Sequence, residues 1–174
     1  MDDVSIIAGG PSAKRVDLAA LPGTIIGVND SAIYAPRVDI VFSVDRNWIE
    51  NRLHALEHMK LPTFLRLSAM RNVFEMIREP WVFPFQQYSE TSKFGKYQCM
   101  LNGPSSGHCA VNLAYVWRPK RIHLVGFDGG KGGHWHPKYP WEKPANRPEW
   151  EVALQDGIRQ CKAAGIEVVR LGSR

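Results

Sequence analysis

The chain reads as an α/β protein: a single domain over residues 1–174, with a mostly parallel sheet and helices on both faces. Three observations predict it. Short β-branched runs alternate with stretches of helical period along the chain. The first runs each end in a glycine-rich or polar cluster, where a strand hands over to a loop. The length suits one core burying roughly two thirds of the surface that the unfolded chain exposes, and no second core is expected.

Residues 4–12 (VSIIAGGPS) open the chain as a buried strand followed by a turn at Gly9, Gly10, Pro11 and Ser12. Residues 13–21 have room for about two helical turns before Pro22 and Gly23 stop them. Two further β-rich runs, 24–28 and 38–44, end in Asn29-Asp30-Ser31 and Asp45-Arg46-Asn47. Residues 48–59 place Ile49, Leu53 and Leu56 at helical spacing, with Pro62 as terminator. A strand is expected over 63–67, a helix capped by Ser68 over 68–78, and a short edge strand over 81–83 between Pro80 and Pro84. Residues 86–104 lack a clear period and read as a surface loop or lid. Ser105 or Ser106 caps an apolar, buried helix over 107–117, and 121–125 (RIHLV) is the next strand. Residues 148–164 set Trp150, Leu154, Ile158 and Cys161 on one helical face, and 166–171 form a last strand.

Composition narrows the function classes. No run approaches the eighteen or so apolar residues of a membrane span, and residues 1–7 do not resemble a signal peptide, so a cytoplasmic protein is expected. Cys99, Cys109 and Cys161 are odd in number and widely spaced, which supports buried thiols rather than a disulfide framework or zinc ribbon. The net charge of +5 suits anionic ligands such as nucleotides and tolerates nucleic acid.

In an open parallel sheet the carboxyl ends of the strands share one edge, so distant clusters meet in one crevice. Glycines let a backbone approach a ligand closely, and a helix start offers unpaired N–H groups to an anion. This assigns phosphate to the backbone and hydroxyls of Gly10, Ser12, Ser105 and Ser106, and ribose or base to Asn29 and Asp45. The alternative is that such residues only turn and cap the chain. Residues 126–141 form the second informative segment: Gly129, Gly130, Gly132 and Gly133 lead to His134, Trp135 and His136. A histidine there suits proton transfer at neutral pH. A metal site from Asp128, His134 and His136, or a loop without chemistry, are the other readings. Lys138 and Tyr139 lie near enough in sequence to meet a leaving phosphate. His108, in the apolar helix, and His123, in a strand, are read as packing residues.

The ordered motifs resemble a Rossmann-like group: the bacterial sialyltransferases of glycosyltransferase family 42 and the 6-hydroxymethylpterin diphosphokinase-like proteins. The resemblance rests on GGPS after the first strand, VND after the second, Asp45 after the third, and the block SSGHCAVNLAYVWRPKRIHLVGFD. Residues 48–101 are unmatched, and Gly9-Gly10 stands where the sialyltransferases read Gly-Asn-Gly. The resemblance implies a nucleotide-activated donor across Gly10, Ser12, Asn29, Asp45 and the segment 105–107. It also implies a loop histidine as base, matched by His134 or His136, and a tyrosine on the leaving phosphate, matched by Tyr139. The diphosphokinase-like proteins carry a Gly-His after the Gly-x-Asp strand, which matches Gly133-His134.

The first functional reading is therefore a glycosyltransferase that moves a sugar from a nucleotide-sugar donor to an acceptor hydroxyl, on a glycan or a modified nucleic-acid base. His134 and His136 are its catalytic candidates. Gly9, Gly10, Pro11, Ser12, Asn29 and Asp30 line the donor site with Asp45, Ser105, Ser106, Gly107, Asp128 and Tyr139. This reading requires no cofactor. The alternatives are a diphosphokinase using Mg²⁺, with Asp45 and Asp128 as acidic ligands, and a nucleotide-binding module without chemistry.

Overall fold

Alternation of buried side chains along each strand sets the two faces of the sheet. The computed structural model describes residues 2–70, 78–87, 93–137 and 147–172. Among them, β1 (Asp3–Ile7), β2 (Thr24–Val28), β3 (Ile40–Ser43), β4 (Thr63–Arg66), β5 (Val82–Gln87), β6 (Met100–Leu101), β7 (Arg121–Val125) and β8 (Glu167–Leu171) form one sheet. Its order is β6-β5-β4-β3-β2-β1-β7-β8, with every ladder parallel. The order reverses beside β1, which pairs with β2 on one side and β7 on the other. That reversal is the switch point where open α/β sheets bind ligands.

Val4, Ile6, Ile26, Phe42, Phe64, Ile122 and Leu124 face one way and pack under α3 (Ser106–Trp117) and α4 (Pro148–Ala163). On the opposite face, α1 (Ser31–Tyr34) and α2 (Arg46–Met59) cover Val41, Leu65 and Val82. Ile7, Ile25 and Val125 meet Ala13, Leu18 and Leu21 there. Helices thus lie on both faces of an all-parallel sheet, as the sequence predicts. No described helix is long and apolar enough to cross a membrane.

Several elements differ from expectation. Residues 13–21 form no α-helix; two 3-10 turns, Pro11–Arg15 and Leu18–Ala20, carry the chain to β2. Ser68 lies inside a 3-10 turn, Leu67–Ala69, rather than at a helix start, and the rest of the expected helix, 71–77, lies outside the described residues. The strand expected to end before Pro84 runs through it to Gln87. Pro84 pairs with Leu65 on one side, and β6 joins the other side only at Gln86 and Gln87, so no ladder requires its missing N–H. The segment 86–104 includes β6, and residues 88–92 within it lie outside the described residues. Its end is tied down by Asn112, fully buried on α3, whose Oδ1 accepts from Gly95 N (2.9 Å) and Asn102 N (2.7 Å). Cys109 and Cys161 are buried, but Cys99 is exposed.

Candidate functional site

Two groups of the sequence-predicted residues assemble on the carboxyl edge of the sheet. The first lies at the switch point. Gly10 N donates to Gly126 O and Ser12 N to Asp128 Oδ2, each at 2.8 Å, so the loops after β1 and β7 are bolted together. A Cβ on Gly10 would sit 2.5 Å from Gly126 O and against the Asp128 carboxylate, so only glycine fits. These bonds revise the phosphate assignment. The amides of Gly10 and Ser12 are spent inside the protein, Ser12 is buried, and Asp128 serves as a structural acceptor.

The histidine loop closes over this joint. Trp135 N donates to Gly9 O (2.9 Å), and Trp135 Nε1 lies 3.1 Å from both Ala8 O and Ser31 Oγ. Trp135 thereby fixes its neighbours. His134 and His136 stack with ring centroids 4.8 Å apart, and Tyr34 stacks on His136 at 5.8 Å. Gly9 lies directly beneath: a Cβ there would fall on His134 and 3.4 Å from His136 Nε2. His136 Nδ1 donates to Pro137 O (3.0 Å), which leaves Nε2 as the acceptor of the neutral ring. Among the described residues, no three His, Cys, Asp or Glu side chains are arranged to hold a metal ion. Tyr139 lies outside the described residues.

At the end of β2, Asn29 has a left-handed backbone (φ 52°), and its buried Oδ1 has no hydrogen-bond partner among the described residues. Asp30 differs from expectation. Its side chain is 1 % exposed, and its oxygens accept from Trp48 Nε1 (2.7 Å), Arg52 Nε (2.8 Å) and Arg52 Nη2 (2.9 Å). It anchors α2 and presents no free oxygen to a donor. Burial pushes its carboxyl upward, but the hydrogen bonds from Arg52 and Trp48 outweigh that and hold it below the usual value.

The second group surrounds the start of α3. Asp45 caps α2 by accepting from Trp48 N (3.2 Å) and remains partly exposed. Ser106 Oγ accepts from Val44 N (3.1 Å), fastening α3 to the end of β3. Gly107 lets α3 lie against the Phe127 ring, which a Cβ would meet at 3.1 Å. Ser105 caps α3 and lies 2.7 Å from His108 Nδ1, whose ring reaches the Trp150 carbonyl through Nε2, also at 2.7 Å. A carbonyl only accepts, so in the neutral ring Nε2 carries the proton and Nδ1 receives the Ser105 hydroxyl proton. Burial holds the His108 imidazole below its ordinary pKa, against the pull of the Trp150 carbonyl and Glu151, and so favours that neutral ring. His108 is thus more than a packing residue. Glu151 in turn grips Arg170, which also donates to Phe127 O, so the first turn of α4 is locked to the loop after β7.

Sequence reasoning missed Tyr34, Trp135 as an anchor, and Arg66 at the end of β4. The strand-end rule that singled out Asp45 would have found Arg66 had it been applied to the fourth strand.

The architecture is a Rossmann-like α/β fold, one parallel sheet with its crevice beside β1. No protein-family model and no curated protein sequence matches the chain. Solved structures do. The monofunctional α-2,3-sialyltransferase Cst-I from Campylobacter jejuni superposes with a TM-score of 0.64 at 13% identity, over 98% of this chain and 76% of that one. The sialyltransferase CstII from Campylobacter jejuni, in complex with CMP-3FNeuAc, gives 0.63 at 16% identity, over 98% and 81%. CST-II in complex with a trisaccharide acceptor and CMP gives 0.60 at 15% identity, over 98% and 81%. The chain has the fold of the bacterial sialyltransferases that its motifs resemble.

Proposed function

We infer that the chain is a glycosyltransferase that takes a sugar from a nucleotide-sugar donor and passes it to an acceptor hydroxyl. One observation carries this reading: the stacked His134–His136 pair lies over Gly9 at the switch point, near the end of β2, where Asn29 holds a buried amide oxygen without a partner among the described residues. An unpaired buried acceptor is costly, and a ribose hydroxyl or a base amino group would complete it. The shared fold supports a donor of the CMP-sugar kind, because matching CST-II structures are complexes with CMP and with CMP-3FNeuAc.

In this mechanism a loop histidine accepts the acceptor hydroxyl proton as that oxygen bonds to the anomeric carbon. The bond from that carbon to the nucleotide phosphate breaks, and the nucleotide leaves with the bonding pair. His134 is the preferred base, following Gly133 directly, with His136 stacked behind it. Calorimetry with CMP-, UDP- and GDP-sugars, with and without magnesium, tests the reading. Binding of one of them without metal, followed by transfer of its labelled sugar to a glycan, is the expected result. Binding confined to ATP with magnesium would refute it.

A further inference from the structure

Arg66 ends β4 on the same carboxyl edge and differs from the other partly buried arginines among the described residues. Arg52, Arg121 and Arg170, also partly buried, each hold a carboxylate. Arg66 holds none among the described residues. Its Nη1 donates to Gln87 Oε1 at 2.7 Å, and its buried Nε has no hydrogen-bond partner. Gln87 in turn donates through Nε2 to the carbonyl of Gly103, two residues before Ser105. Among the described residues the guanidinium is therefore held in place by a neutral amide and meets no carboxylate. Its charge reaches the first turn of α3, where it acts on the buried Cys109 thiol.

A partly buried cation without a counter-charge is costly unless an anion completes it. Guanidinium is built for that anion, since its planar fork matches the oxygens of a carboxylate or phosphate. The Gln87 tether fixes the orientation in advance, which lowers the entropy lost on binding. Three strand spacings separate β4 from β1, about 14 Å, a span that an extended nucleotide-sugar covers. The amides that might have taken an anion at the first turn are already bonded, as described above.

We propose that Arg66 is an oxyanion-binding residue, receiving a carboxylate or phosphate of the ligand that lies along this edge. Only the identity of that ligand rests on the glycosyltransferase reading. Calorimetric titrations of the wild type, Arg66→Gln and Arg66→Lys separate the two, using inorganic phosphate, N-acetylneuraminate, CMP and CMP-N-acetylneuraminate as probes, with thermal midpoints recorded for each variant. The expected result is a loss of about 10- to 100-fold in affinity for the anionic probe in Arg66→Gln, with partial retention in Arg66→Lys. A loss confined to N-acetylneuraminate and its CMP conjugate identifies the sugar carboxylate, whereas a loss shared with phosphate and CMP identifies the phosphate. Wild-type binding of simple anions through Arg66, without any nucleotide binding, would uphold the proposal and overturn the donor reading. Equal affinities for wild type and Arg66→Gln would overturn the proposal and leave the donor reading standing, and a lowered midpoint with unchanged affinity would assign Arg66 to folding alone. Failure of every probe to bind the wild type would overturn both. If Arg66→Gln fails to fold, Gln87→Glu decides instead: an internal carboxylate on Arg66 should exclude the anion, and undiminished anion binding by that variant would refute the proposal.

Discussion

Replacing Asp30 by Asn tests the reading of Asp30 as an anchor. The carboxylate is almost wholly enclosed, and its two oxygens receive three hydrogen bonds, one from Trp48 and two from Arg52. Asn keeps the shape but removes the charge and turns an amide donor toward other donors. Breaking a buried pair costs about 3–5 kcal/mol when the remaining charge stays buried. The Arg52 side chain is 26% exposed and can partly rehydrate, which lowers the expected loss to about 2–3 kcal/mol. At this chain length that is a fall in thermal midpoint of roughly 4–12 °C. The sign with pH follows from the depressed carboxyl. The unfolded state binds the proton more readily, so the stabilisation is complete above the ordinary carboxylate value of 3.8 and is lost as pH falls through the lower folded value. Urea unfolding of both proteins at neutral pH and in acid is the assay. The gap between them should narrow as pH drops below about 4. A loss under about 1 kcal/mol at neutral pH would refute the anchoring role.

Gly10→Ala should lower stability by about 1–3 kcal/mol, because its methyl would collide with Gly126 O and the Asp128 carboxylate; an unchanged thermal midpoint would show that the joint relaxes freely. Asn112→Ala should cost about 1–3 kcal/mol by taking the shared acceptor from the half-buried amides of Gly95 and Asn102, and a midpoint within a degree of wild type would count against it. Replacing the histidine that serves as base by Ala should cut turnover roughly 10²- to 10⁴-fold with little change in donor affinity, and near-normal turnover in both the His134 and the His136 variants would remove the assignment. In native protein a thiol reagent should modify Cys99 alone, because burial pushes the Cys109 and Cys161 thiols up to about 12; rapid labelling of a second cysteine would contradict that burial.

Strands were the most legible elements because a buried parallel strand is written as a continuous β-branched run. The bounds of β2 and β7 were read to the residue from TIIGV and RIHLV. β6 was missed because two residues carry no period, and β5 was cut short because Pro84 forbids only a ladder that its outer side never makes. The site was legible as a set of polar residues at strand ends, but not in its orientation. Whether Asp30 faces the crevice or α2 is decided by Trp48 and Arg52, and whether Ser12 N meets a phosphate or a side chain is decided by Asp128, 116 residues away. Local pattern carries no information about such partners. Ser105 shows the same limit: the cap was legible, but the destination of its proton depends on the Trp150 carbonyl in another helix.

The placement of β1 between β2 and β7 has a consequence for the order in which the molecule is made. The β1–β2 ladder joins residues about twenty apart, whereas the β1–β7 ladder waits for a segment that leaves the ribosome more than a hundred residues later. Closing a loop of 116 residues between Ser12 and Asp128 costs about 4 kcal/mol in chain entropy beyond a constant term. Until β7 arrives, one side of β1 is an open edge bearing Ile6 and Ile7, able to pair with the wrong strand. The crevice therefore exists only once synthesis has passed β7. Any nascent chain stopped before β7 has strands and helices but no seat for a ligand.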